Sequence, residues 1–219
     1  MILYLLVQTI GFTLFLIFIL LFNKKYNYFS KENIFYSYIL FLLFFFIFAK
    51  IGYILIKLDF GFSKYFLSDD LVNFLNTIVS GFAFIGGYFG CLFFILFASK
   101  VFKWEMRKIM ALYIPNMLLF YSILKVGCYI NGCCGGKFII PIQLIESFSN
   151  FVAYIYIYYL FCKNSNNKEI VYKSIILFGV LRLIISLFRI YSHFYTLILV
   201  EILCGIIILL GLFIRKKIN

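Results

Sequence analysis

The sequence predicts an all-α integral membrane protein: seven transmembrane helices forming one polytopic domain over residues 1–219. Three observations carry that prediction. Hydrophobic residues make up 65% of the 219-residue chain and charged residues only 13%, a balance outside the range of soluble domains. Apolar runs recur at lengths near the ~20 residues that cross a bilayer as a helix. The basic residues, moreover, alternate between rich and poor connecting segments.

The predicted spans are Met1 to Phe22, Ile34 to Ile56, Phe74 to Ala98, Ile109 to Leu124, Phe148 to Cys162, Ser174 to Phe188 and Tyr195 to Ile214. The first lacks a basic leader and a small-residue cleavage site, so it reads as a retained helix rather than a removed signal peptide. SGFAFIGGYFG, at the third, is rich in glycine, which suits close helix packing or the approach of backbone amides to an anion. The fifth and sixth cores are short, and each is expected to borrow residues from a neighbouring loop.

The segments NKKYNYFSKEN, SKVFKWEMRK, KNSNNKEIVYK and RKKIN carry 3, 4, 3 and 3 basic residues, whereas Lys57 to Leu71, Lys125 to Ser147 and Arg189 to His193 carry 2, 2 and 1. Basic segments stay in the cytoplasm. The N-terminus is therefore expected outside and the C-terminus inside. Net charge is +12, but the cations sit in short gaps between apolar runs rather than on one wetted face, which argues against nucleic acid as a partner. No Walker-type phosphate loop occurs.

Several polar groups stand where a membrane disfavours them. Arg182 lies within SIILFGVLRLIISLFR, and Arg189 follows two turns later on the same face. Pairing with Glu146 or Glu201 for packing is one reading. A clamp on phosphate, which the guanidinium fork fits, is the other. Lys50 either snorkels to the interface or faces inward. Glu201 is a buried acid that needs a partner or a proton, and His193, the single histidine, falls in a short loop. The segment KVGCYINGCCGGK, Lys125 to Lys137, gathers four glycines and three cysteines between apolar runs. Cys128, Cys133 and Cys134 lack zinc-knuckle spacing, so no metal is expected; a disulfide within the cluster stays open.

Together these elements resemble the prolipoprotein diacylglyceryl transferase family. AKIGYIL (Ala49 to Leu55) is similar to the family's GRIGYVL, SGFAFIGG to GGMSFHGG, KVGCYINGCCGG to RxGNFINGExxG, PIQLIES to PSQLYEA and LFGVLRLIISLFR to YGxxRFxxEFxR. The resemblance implies transfer of diacylglyceryl from phosphatidylglycerol to a lipobox cysteine of a prolipoprotein, at the bacterial inner membrane and without a cofactor. Carried over position by position, it implies Arg182, Lys125 and Glu146 as catalytic residues. It implies Asn131, Gly132, Arg189, Gln143, Gly86, Gly87, Lys50 and Tyr53 as substrate-binding residues. Ile85 stands at the family's histidine, Cys133 at its signature glutamate, Ser186 at a later acid and Phe178 at a tyrosine. A non-catalytic binder of phospholipid or prolipoprotein, and a small-solute transporter, are the competing readings. The transporter lacks the inverted repeat of broken helices often seen in transport folds.

Overall fold

The computed structural model describes residues 2–57, 83–133, 135–136, 141–163, 166–190 and 194–216. Over these it contains seven helices: α1 (Ile2–Tyr26), α2 (Lys31–Lys57), α3 (Phe84–Val101), α4 (Met106–Ile130), α5 (Ile142–Cys162), α6 (Asn167–Ser186) and α7 (Phe194–Lys216). Six of them are long and apolar enough to cross a membrane; α6 is not. The expectation of seven such spans is corrected there for a physical reason. Lys168, Glu169 and Lys173 occupy the first two turns of α6 and Arg182 lies four residues before its end, so no apolar stretch of membrane length remains. The first part of the predicted third span, with the segment before it, falls outside the described residues, as do Cys134, Lys137 and His193.

Local chemistry sets the ends of the helices that matter for the site. Pro141 precedes α5, its fixed φ and missing N–H suiting a helix start, so α5 begins at Ile142 rather than Phe148 and takes in PIQLIES. Asn166 caps α6 by accepting a hydrogen bond from the Lys168 backbone N–H at 3.2 Å. The chain leaves α4 through Asn131 and then Gly132, whose φ of +66° favours glycine. Predicted spans five and six do borrow from their loops, giving helices of 21 and 20 residues.

Helix α4 is the central helix, packed against α1, α3, α5 and α6. Between α1, α2 and α4 lies an aromatic core in which Phe15 meets Phe41 and Phe120 with ring centroids 5.0 and 5.2 Å apart. Helices α2 and α3 approach through glycine. A Cβ on Gly86 would lie 2.3 Å from the Phe48 carbonyl oxygen, and one on Gly90 would lie 2.6 Å from that of Phe44. Ala83 ties the start of α3 to α2 by donating its N–H to the Ala49 carbonyl at 3.0 Å.

Candidate functional site

At the end of the bundle where α4 and α6 finish and α5 begins, one carboxylate organises the polar groups. Glu146 is fully buried (0% exposed) on the second turn of α5. Its Oε1 accepts from the Arg182 guanidinium on α6 and from the Tyr121 hydroxyl on α4. Its Oε2 pairs with Lys125 Nζ at 2.9 Å. Lys125 and Arg182 are themselves 5% and 9% exposed. Arg189, 8% exposed, lies close enough to act electrostatically on Glu146, Lys125 and Tyr121. Three cations therefore surround one carboxylate, and the site keeps a positive excess in surroundings where charge is weakly screened.

The cluster is braced on each side. Ser147 Oγ, next to Glu146, donates to the Ser122 carbonyl at 2.9 Å and so joins α5 to α4. Phe84, the first residue of α3, packs its ring on Tyr121 with centroids 4.2 Å apart, and Phe178 of α6 meets the same ring edge-on at 5.4 Å. Phe178 also stacks on Tyr88 at 4.4 Å. The aromatic residue at the family's tyrosine thus forms a wall between α3 and the ion cluster.

A short loop closes this end. Gln143 donates its side-chain N–H to the Cys133 carbonyl at 2.7 Å. Gly136 and Arg189 form an isolated antiparallel bridge, and the Ile190 N–H donates to the Gly135 carbonyl at 3.2 Å. Gly136 has little room for a side chain, because a Cβ there would stand 2.8 Å from that of Ile142. The signature segment is thereby pinned to the end of α6, beside the second arginine.

Of the residues singled out in the sequence, Arg182, Lys125, Glu146 and Arg189 come together, and Gln143 supports their loop. Asn131 and Gly132 are exposed at the α4 terminus, outside the cluster. Gly86 and Gly87 serve the α2–α3 contact; a Cβ on Gly87 would meet the Phe45 ring at 2.4 Å. Lys50 lies over the Tyr53 ring at 5.1 Å, a cation–π contact within one turn of α2. The packing partner of Arg182 is Glu146, whereas Glu201 is partly exposed and makes no ion pair among the described residues. Ile85 is buried, and the Ser186 hydroxyl donates back to the Leu183 carbonyl at 2.6 Å. Cys128 and Cys133 are partly buried, and no group of metal-ligating residues occurs among the described residues.

Tyr121 and the Ser122–Ser147 brace do not stand out in the sequence, because Tyr121 and Ser122 fall inside the apolar run of the fourth span and Ser147 at the end of the segment that follows it. A signal was available: Tyr121 stands four residues before Lys125, so the two share one face of α4. Lys125 Nζ indeed lies 5.1 Å from the Tyr121 ring centroid.

The fold and site define a polytopic helical membrane protein with a cation-rich, buried site at one end of its bundle. A family model of prolipoprotein diacylglyceryl transferase matches residues 1–215, and the chain belongs to that family of transferases of lipoprotein biosynthesis. A phosphatidylglycerol–prolipoprotein diacylglyceryl transferase from Clostridium tetani (strain Massachusetts / E88) is 21% identical over 140 residues, covering 55% of this chain and 56% of the relative. The match thus spans about half the length of each protein.

Proposed function

We propose that this protein transfers the diacylglyceryl group of phosphatidylglycerol to the cysteine thiol of a prolipoprotein lipobox, as a multi-pass protein of the bacterial inner membrane. The observation that carries the reading is the buried Lys125–Glu146–Arg182 cluster, with Arg189 beside it. A phosphodiester donor brings one negative charge to a site holding more cations than acids. In the reaction the acceptor thiolate attacks the glyceryl carbon that carries the phosphate ester. The C–S bond forms as the C–O bond breaks, glycerol phosphate departs with the electron pair, and the thiol proton ends on the departing phosphate or in water.

In this scheme Arg182 and Lys125 hold the phosphate and offset the charge that grows on it, a stabilisation most effective in a dry, preorganised site. Arg189 adds a third cation at the bridge to Gly136. Glu146 is a positioning residue: its oxygens are taken up by Tyr121, Arg182 and Lys125, which fixes both cations before the donor arrives. The loop of Asn131, Gly132 and Gly136 receives the lipobox segment, and Lys50, Tyr53, Gly86 and Gly87 bound the lipid side. Helix α6, although short of a full apolar crossing, runs beside α7 along the bundle and returns to this end, so the chain passes through the bundle seven times; the alternation of basic segments then argues for this end, with the N-terminus, outside and the C-terminus in the cytoplasm. After reduction, a membrane-impermeant thiol reagent on intact cells is then expected to label Cys128 and Cys133 but to reach Cys162 only after lysis. The reverse pattern would invert the orientation.

A second reading, a non-catalytic phospholipid-binding relative, is favoured by Ile85, Cys133 and Ser186, which put an aliphatic side chain, a thiol and a hydroxyl where the family has a histidine and two acids. The deciding experiment gives the purified protein phosphatidylglycerol labelled in its acyl chains, together with a lipobox peptide. Label on the peptide cysteine is the expected result. Donor binding without transfer would leave the non-catalytic reading standing.

A further inference from the structure

A lipid-sized feature lies at the end of the bundle opposite the Glu146 cluster. A cavity of about 490 Å³ opens sideways between α3 and α7, within the ~300–1,000 Å³ range of ligand sites. Its floor is built from buried Ile95, Met110, Val171, Ile175 and Ile207, while Leu96, Leu210 and Phe213 form an exposed rim. Met110 precedes Lys125 by about four turns of α4, on the order of 20 Å, so the cavity is separate from the Glu146 cluster.

One end of the cavity is polar and of one sign. Arg107, in the first turn of α4, and Lys168, in the first turn of α6, both line it. Two helix N-termini, each carrying partial positive charge, therefore meet there as well. The nearby acids do not cancel these cations, because Glu105 is paired with Lys108 at 2.9 Å and Glu169 with Lys173 at 2.5 Å. Among the described residues, neither Arg107 nor Lys168 has an acidic partner. The result is a long apolar trough with a lateral opening and a cationic end.

We infer that this groove binds an anionic diacyl phospholipid, its headgroup at Arg107 and Lys168 and an acyl chain along the α3–α7 trough, as a site distinct from the one at Glu146. The charge complementarity selects the occupant. A neutral lipid would fill the trough but leave both cations without an anion, and a soluble anion would leave the trough empty. The bound lipid comes from the leaflet that faces the basic segments, and it does not depend on the transferase reading.

The test uses the full-length protein in nanodiscs containing phosphatidylglycerol with a diazirine on one acyl chain, or phosphatidylcholine carrying the same label. Crosslinks are mapped by peptide mass spectrometry. Crosslinking within 89–96 and 171–175 is expected to be at least fivefold higher with the phosphatidylglycerol probe. It is expected to fall to the phosphatidylcholine level in the R107Q/K168Q variant, with melting temperature unchanged. Leu92→Trp, which places bulk in the trough, should lower crosslinking while leaving the cations in place. Equal crosslinking by the two lipids would overturn the inference. So would undiminished crosslinking in R107Q/K168Q, which would instead mean annular lipid or the tails of a donor held at the Glu146 end.

Discussion

The seam between α4, α5 and α6 and the apolar seam where α2 packs on α3 and the rings of α1 and α2 meet α4 are both tightly packed, yet different forces hold them. In the first, Glu146, Lys125, Arg182 and Tyr121 form a buried polar network whose members depend on one another. In the second, Phe15 and Phe41 pack on Phe120 of α4 and the glycines of α3 fit against α2, with few polar contacts and no buried ion pair among the described residues. Lipid tails are as apolar as these side chains, so the second seam gains little from leaving water. It is held by close packing. Loss of one polar partner strands a charge, whereas loss of a few apolar atoms forfeits only contacts. The first seam should accordingly be fragile to single substitutions and the second forgiving, except where backbone meets backbone.

The largest effect is expected from Glu146→Ala, which leaves Lys125 and Arg182 facing each other with no anion between them. Breaking a buried pair in this way costs about 3–5 kcal/mol, and melting temperature in detergent should fall steeply while transfer disappears. Tyr121→Phe removes a single hydrogen bond to a charged acceptor, worth about 1.5–3 kcal/mol. It should lower stability less than Glu146→Ala and reduce transfer without abolishing it. In the apolar seam Gly86→Ala is the sharpest probe. Its Cβ would collide with the Phe48 carbonyl at 2.3 Å, so α2 and α3 must separate, at about 1–3 kcal/mol. Phe41→Leu, in the middle of the aromatic core, removes only part of a ring and should cost about 1 kcal/mol, less than Tyr121→Phe, and leave transfer intact. A larger loss at Phe41 than at Tyr121, read from thermal denaturation, would reverse the contrast between the seams.

The sequence already shows much of this arrangement, and the reasons for what it hides are physical. Apolar run length places six spans directly, because the bilayer sets a minimum length of about 20 residues. It misjudges α6, where Lys168, Glu169 and Lys173 are compatible with a helix but not with a full apolar crossing. Arg182 stood out because a cation amid Leu and Ile is costly to bury, and Glu146 was one of two acids weighed as its partner. Choosing Glu146 over Glu201 requires knowing that α5 and α6 both face α4, a tertiary fact with no local signature. Tyr121 was invisible for a related reason: in a chain with 18 tyrosines, one more in an apolar run carries no polar signal until a carboxylate is found opposite it. Gly86 and Gly87 were legible as special but not as to purpose, since close packing and anion approach call for the same missing Cβ.

The cation excess around Glu146 serves either to hold a phosphate or only to join the helices, and Arg182 separates the two. The direct measurement is phosphatidylglycerol affinity, taken alongside melting temperature, for R182Q. In that variant Glu146 keeps its pair with Lys125 at 2.9 Å, so no buried charge is stranded and most of the stability should survive. The folded R182Q protein is expected to bind phosphatidylglycerol at least tenfold more weakly than the native protein. Native affinity in R182Q, with a lowered melting temperature, would contradict the phosphate assignment and leave Arg182 as a packing ion alone.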